Sequence, residues 1–496
     1  MQPSIATYSD SAGARTAPRF ETWLNGLLDR LSLTHIGLFF VVLALIVYVF
    51  SDPSRIGWYN HFVWQADAYL HGRFVISYPV SIGPYQNAYL NDVMPLPSSP
   101  GQPSYGLLPF PPLPAVLLLP FVAVFGLATD AQLFGAVLGA INIGLTWRML
   151  TRVTGNRAAV FMTTLFFAFG TAHWYSAMLS TTWFLAHVVA TTFLLLGITI
   201  ALDAERREQL RAKLGRFADQ TAGGLRPAPA RQGTLTATFE QRSLFLRSYR
   251  TVRAQIDPFQ FMAGFVFGLA ALSRLTTVLG APFFVLIGGG GSFWRRAFSA
   301  GLGAILPGVL LIAYNVASSG HIFNPAYDWL FHTEYHGYMP SWLPIDETKG
   351  LEDIANVPRN ALIMFGWMPT IDLSCGLSFL NPNCALIKPD PIGMSILLTS
   401  PAYLLGVPLA IQRWRNRLVL GAILATVAIG FGILMNFGPG WVQFGFRRAL
   451  DFAPFALILV ALAMTRYGVG RVAAALVAFS ILVNAWGVYW GVALRW

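Results

Sequence analysis

The chain has 496 residues and a formal net charge of +11, yet only 11% of its residues are charged while 55% are hydrophobic and 14% are aromatic. Soluble globular domains carry about 25% charged residues. The composition therefore excludes an ordinary soluble domain and predicts an all-α polytopic membrane protein, in which each crossing needs roughly 20 apolar residues.

Residues 1–35 read as a cytoplasmic N-terminal tail, and 36–496 as a single transmembrane domain. The first apolar run, 36–50, has no small-residue cleavage site behind it and reads as a signal anchor. A large segment, 51–130, follows, with "NHFVWQADAYLHGRF" near its start. Helical spacing puts Asn60, Trp64, Asp67 and His71 on one stripe. That stripe is either the solvated face of an interfacial helix or one wall of a site. Asp52, in "SDPSR", reads as a turn leaving the first span. Asp92 lies in "LNDVMPLPSSPGQPSYGLLPFPPLP", either as a turn residue before proline or as a base on a loop stiffened by prolines.

Further apolar runs cover 133–147, 158–174, 183–202, 259–272, 277–287, 298–317, 391–411, 418–435, 449–464 and 472–489, making eleven candidate spans with the first. Residues 106–126 are apolar too, but four prolines in their first half hinder a regular helix. Charge decides their placement. If 106–126 is re-entrant or interfacial, most of the 33 Lys and Arg fall on one side. The positive-inside rule then puts the N-terminus in the cytoplasm and the C-terminus outside. On that topology 203–257 is a basic, partly disordered cytoplasmic loop beside anionic lipid headgroups. Residues 51–130 and 318–390 are outer loops with juxtamembrane helices, and they collect acids and aromatics. The excess positive charge is thus a topology signal, with no nucleic acid implied.

Candidate binding residues lie at the outer ends of the spans. Arg274 stands in "ALSRLTTVLGAPFF", where a charge is either functional or snorkelling. Arg447, Arg448 and Asp451 stand in "GPGWVQFGFRRALDFAPF". An Arg there suits bidentate phosphate binding, or Arg447 and Asp451 form an i,i+4 pair that locks the helix end. "GTAHWYSAMLSTTWFLAH" reads as an aromatic belt, in which Trp174, Trp183 or His187 can also line a sugar or lipid pocket. "GGGG" (288–291) lacks the Gly-Lys-Ser/Thr ending of a phosphate loop and reads as a cytoplasmic turn. Cys375 and Cys384 share one loop and are either two free thiols or a disulfide. No zinc pattern is present.

One span, a loop helix ending "YLHG", the segment "FPPLPA", the turn "LSRLT" and the closing "GFRRALDFAPF" together resemble the GT-C superfamily of polyprenyl-phosphate-sugar-dependent glycosyltransferases. Protein O-mannosyltransferases and the bacterial aminoarabinose and mannose transferases belong to it. The resemblance covers the first half of the chain best. It implies a multi-pass protein of the cell (inner) membrane, with a cavity under the outer loops. A lipid-phosphate sugar enters that cavity from the bilayer, and a lipid, glycan or protein acceptor enters from water. The family usually carries its basic acid near the start of the first-loop helix. Here Asn60 and His61 hold that position, as substrate-contacting candidates. Asp92, Asp67 and Asp52 are then the leading acids, with Asp130 at the far end of the loop and Asp328 or Glu334 of the second outer loop as reserves. A carboxylate would deprotonate the acceptor hydroxyl, and arginines would steady the departing lipid phosphate, so Mg²⁺ is dispensable and no metal or other cofactor is expected. The competing expectations are a flippase or transporter for a lipid-linked glycan, for which no internal repeat is visible, and a polysaccharide polymerase or ligase.

Overall fold

The computed structural model describes residues 18–55, 59–77, 92–96, 104–222, 255–333, 350–440 and 442–494. The described residues are mostly helical, and among them six helices are long and apolar enough to cross a bilayer: Leu33–Ser51, Ala131–Val153, Thr182–Leu214, Phe293–Ser319, Arg417–Met435 and Arg471–Ala493. Five shorter apolar helical stretches, Leu113–Ala128, Arg157–Phe169, Pro258–Ala271, Leu275–Leu286 and Ala453–Tyr467, lie among them. It is a membrane-embedded helical protein.

Helix α1 (Arg19–Leu28) places Glu21, Leu24 and Leu28 on its buried face. Glu21 accepts hydrogen bonds from Asn156 Nδ2 at 2.6 Å and from the Val469 amide at 3.0 Å. It therefore ties together two turns far apart in sequence. Helix α2 (Leu33–Ser51) starts at Ser32, whose hydroxyl accepts from the His35 amide. Helix α3 (His61–Leu70) buries seven of its ten residues. The interfacial stripe expected there is split, with Trp64 inside and His71 exposed.

Strands β1 (Ile76–Ser77), β2 (Met94–Pro95) and β3 (Tyr105–Leu107) form a small antiparallel sheet in the order β1-β3-β2. Helix α4 (Leu113–Phe125) contains Pro120 and has 13 residues, so it is about 20 Å long. Phe62, Val63, Val93, Phe110, Leu118 and Leu185 share one apolar cluster that seats this first segment on the bundle.

Helices α5 (Ala131–Val153), α6 (Arg157–Phe169) and α7 (Ala172–Leu179) lead to α8 (Thr182–Ala222), which runs for 41 residues. The basic segment expected to be partly disordered is therefore helical through Ala222. Arg152 pairs with Asp203 at 3.0 Å, and Arg206 donates to the Thr151 and Arg152 carbonyls, holding this extension to the end of α5.

Helix α9 (Pro258–Ala271) is capped by Asp257, whose carboxylate accepts from the Phe259 and Gln260 amides. It is followed by a 3₁₀ turn (Leu275–Gly280), α10 (Ala281–Leu286) and α11 (Phe293–Ser319). A Cβ on Gly264 would stand 2.0 Å from the Ala300 carbonyl oxygen, and one on Gly303 would stand 2.1 Å from that of Phe261. Only glycine permits that backbone approach, the small-residue packing typical of membrane helices.

Helices α12 (Ala326–Thr333) and α13 (Val357–Gly366) lie in the second large segment with strands β4 (Thr370–Ile371) and β5 (Ile387–Lys388). Cys375 and Cys384 form a disulfide. The run 391–411, expected as one span, is broken into α14 (Ile396–Thr399), a 3₁₀ turn (Pro401–Leu405) and α15 (Gly406–Arg413). Pro401 removes a donor and biases the residue before it away from helix.

Helix α16 (Arg417–Met435) leads through a 3₁₀ turn (Arg447–Asp451) into α17 (Ala453–Tyr467), and α18 (Arg471–Ala493) closes the bundle. Every residue from Ala453 to Met464 is buried. A helix apolar all round is one surrounded by protein, so α17 is the central staff of the bundle. The charged 3₁₀ turn sits at its N-terminal tip.

Candidate functional site

The staff's tip meets the first segment through the start of α8. The Thr182 hydroxyl donates to the Tyr59 carbonyl at 2.7 Å and accepts the His61 amide at 3.1 Å. It also lies 2.7 Å from His61 Nδ1. His61 is buried, with the rings of Tyr59, Trp64, Phe110 and Trp183 around it at centroid distances of 4.9–6.2 Å. Its position is fixed by packing and by α8 together.

Trp183, the next residue of α8, donates its indole N–H to the Asp92 carboxylate. Asp92 is buried and adopts φ +59°, a left-handed conformation that Asp tolerates better than most residues. Strand β2, two residues on, anchors that loop by pairing with β3. Burial pushes the Asp92 carboxyl up to about 6, against the Trp183 hydrogen bond and the charge of Arg447, which both lower it. It is a carboxyl that is ionised at neutral pH yet basic enough to take a proton.

Arg447 is buried, with its guanidinium 4.8 Å from the centre of the Phe184 ring. Asp451, four residues on, does not simply lock to it. Its carboxylate takes His187 Nδ1 at 2.7 Å, Arg274 Nη2 at 3.2 Å and the Thr276 hydroxyl. An i,i+4 pair needs an α-helix, whereas Arg447 and Asp451 lie on a 3₁₀ turn of three residues per turn. Asp451 is thus the hub that fixes Arg274 and His187.

Arg448 points elsewhere. It donates to Asn436 Oδ1 at 2.7 Å, and Asn436 donates to Glu352 at 2.7 Å. Half-buried Tyr327 of α12 lies in the field of Arg274, Asp92, Arg448 and Glu352. Its hydroxyl is pushed above the usual range, by burial first. Two carboxylates and two arginines from four parts of the chain thus act on one phenol through their charge.

No family model, no curated protein and no solved structure matches this chain. The geometry alone therefore carries the reading. It brings together Asp92, His61, His187, Arg274 and Arg447, with Trp183 between the first two, while Arg448 faces Asn436. The other candidates lie in local roles. Asp52 is buried in a turn, accepting from Ser54 Oγ at 2.7 Å and from the Arg55 amide. Asp67 sits near the end of α3, 3.6 Å from the exposed His71. The Asn60 carbonyl accepts the Val63 and Trp64 amides at the start of α3. Asp130 caps α5 and pairs with Arg55 at 3.4 Å. Asp328 is exposed beside His332. The Trp174 indole donates to Ser51 Oγ at 3.0 Å. Glu334 lies outside the described residues.

Sequence reading did not single out Tyr327, Glu352, Asn436 or Thr276. The one available signal for Thr276 was its place two residues after Arg274. Among the described residues, no group of three His, Cys, Asp or Glu is placed to hold a metal.

Proposed function

We propose that this protein is an integral membrane glycosyltransferase that moves a sugar from a polyprenyl-phosphate donor to an acceptor hydroxyl at the extracytoplasmic face. The observation that carries this reading is the meeting of Asp92, a buried carboxyl pushed up to about 6, with Arg447 and Arg274 at the tip of the central helix. In the proposed step the acceptor oxygen attacks the anomeric carbon and its proton passes to Asp92. The bond from that carbon to the phosphate oxygen breaks, and polyprenyl phosphate leaves with both bonding electrons. Arginine, with its fork of donors, suits the phosphate better than a point charge would. His61, Trp183 and Tyr327 line the sugar's side of the site.

The topology that fits this chemistry has about eleven spans, with the N-terminus cytoplasmic and the C-terminus outside in the cell (inner) membrane. Helix α4 carries Pro120 in its interior, and Arg148, Arg152 and Arg157 fall on the cytoplasmic side only if it does not cross, which favours its lying re-entrant. The broken run 396–413 then counts as one bent span.

The test is transfer by the purified protein in lipid nanodiscs. Label from a polyprenyl-phosphate sugar should move to an acceptor, with one polyprenyl phosphate released per sugar. Movement of a lipid-linked glycan across vesicles containing the protein, with no sugar transferred, would overturn this reading in favour of a flippase.

A further inference from the structure

The second large segment carries a feature that the transferase site does not use. Strands β4 and β5 pair Thr370 with Lys388 and Ile371 with Ile387, and the Cys375–Cys384 disulfide closes the loop between them. Residues 373–387 contain no charged side chain. Leu373 and Leu377 are 82% and 84% exposed, and Phe379 and Leu380 are exposed beside them. Four large apolar side chains facing water on one short loop need a partner.

Two observations say what that partner is. The first is position. Tyr489, near the C-terminal end of α18, donates its hydroxyl to the Leu380 carbonyl. Tyr489 lies two turns beyond Leu482, on the same face of a helix long and apolar enough to cross a bilayer, and Leu482 is 69% exposed. The loop thus continues the bare apolar stripe of a span at the level of its end. The second is backbone satisfaction. The Asp372 amide donates to the Leu386 carbonyl at 2.9 Å, Leu386 to Ser378 at 2.6 Å, and Cys384 to Asn381 at 3.2 Å. These bonds satisfy the base of the loop, so only the amides of its tip meet the headgroup layer, where water and headgroups can serve them.

We propose that residues 373–387 form a disulfide-closed apolar finger that beds into the headgroup–acyl boundary of the bilayer beside the C-terminal end of α18. The flanking Asp372 and Lys388 mark where the chain returns to water. The bridge keeps the leucines splayed on one short frame, so their apolar surface is presented without an ordering cost at the moment of insertion. The partner is lipid, since nothing in the finger offers charge for a protein surface to read. This inference rests on the membrane-embedded fold and is independent of the transferase reading.

The experiment places a cysteine at Leu377 (Leu377→Cys) and, separately, at Leu373 (Leu373→Cys). Each is labelled with an environment-sensitive nitrobenzoxadiazole dye in phosphatidylcholine–phosphatidylglycerol vesicles, with peptide mapping to confirm that the native bridge is kept. Lys213→Cys, exposed on α8, gives the aqueous reference. The finger positions should be quenched severalfold more by shallow doxyl-labelled lipid than by aqueous iodide, the reverse of position 213. Iodide quenching equal to that at 213 would overturn the proposal. So would protection from both quenchers that is lost on diluting the protein in the vesicles, because that result assigns the finger to contact between two copies.

Discussion

Replacing Asp92 with Asn removes one proton-accepting oxygen and almost no volume. Burial raises the Asp92 carboxyl from 3.8 to about 6, so at pH 7 the ionised side chain costs the folded state about 3 kcal/mol relative to the unfolded chain. The sign follows from the raised value. The folded protein holds the proton more tightly, so the neutral carboxyl's advantage is complete below the unfolded value of 3.8 and is lost as pH rises through about 6. Asp92→Asn, which cannot ionise and can still accept the Trp183 N–H, should therefore be as stable as the parent near pH 4 and more stable at pH 7.5. Differential scanning fluorimetry in detergent measures that difference. Transfer should move the opposite way, falling by about 10²–10⁴-fold with donor binding kept, the range for loss of a general base. The parental rate should itself rise with pH through about 6. A variant that transfers sugar at the parental rate, or one that is destabilised at pH 7.5, would refute the assignment of Asp92 as a strained base.

Trp183→Phe removes the hydrogen bond that favours the Asp92 carboxylate, so the acid limb of the pH–rate profile should move to higher pH, and an unmoved limb would exclude the contact. Arg447→Ala or Arg274→Ala should weaken donor binding about tenfold or more, and Lys in place of Arg447 should recover only part of it, as measured by titration with polyprenyl phosphate. Asp451→Asn leaves Arg274 without its buried counter-charge and should cost about 3–5 kcal/mol of stability, read from a thermal shift at fixed detergent. Asp52→Asn touches only a turn and should leave the transfer rate at the parental value. Reporter fusions after Arg157 and after Trp496 should signal cytoplasm and exterior respectively, and an exterior signal after Arg157 would reverse the topology.

The helical bundle was legible because long apolar runs have one compact solution in a bilayer. Ten of the eleven expected runs coincide with apolar helices, and the eleventh, 391–411, breaks at the proline its sequence displays. The candidate site was only half legible. Arg274, Arg447 and Arg448 stood out because charge near a span end is rare and expensive. Their partners did not. The choice of Arg274 over Arg447 by Asp451 depends on the 3₁₀ turn, which residue spacing does not reveal. Three first-segment aspartates looked alike in sequence. Only the fold separates Asp92, buried against an indole, from Asp52 in its turn and Asp67 at its helix end. Tyr327 and Glu352 reach the site from a segment with no periodic signal, through tertiary contact alone.

The most direct test is a structure with polyprenyl phosphate bound in a lipid nanodisc. The central claim is that the Asp92 carboxylate and the arginines of the central helix tip face one donor. The phosphate should lie between Arg447 and Arg274, on the same side of Tyr327 as Asp92. A phosphate seated instead at the opposite end of the bundle, against the α8 extension beyond Asp203, would contradict it.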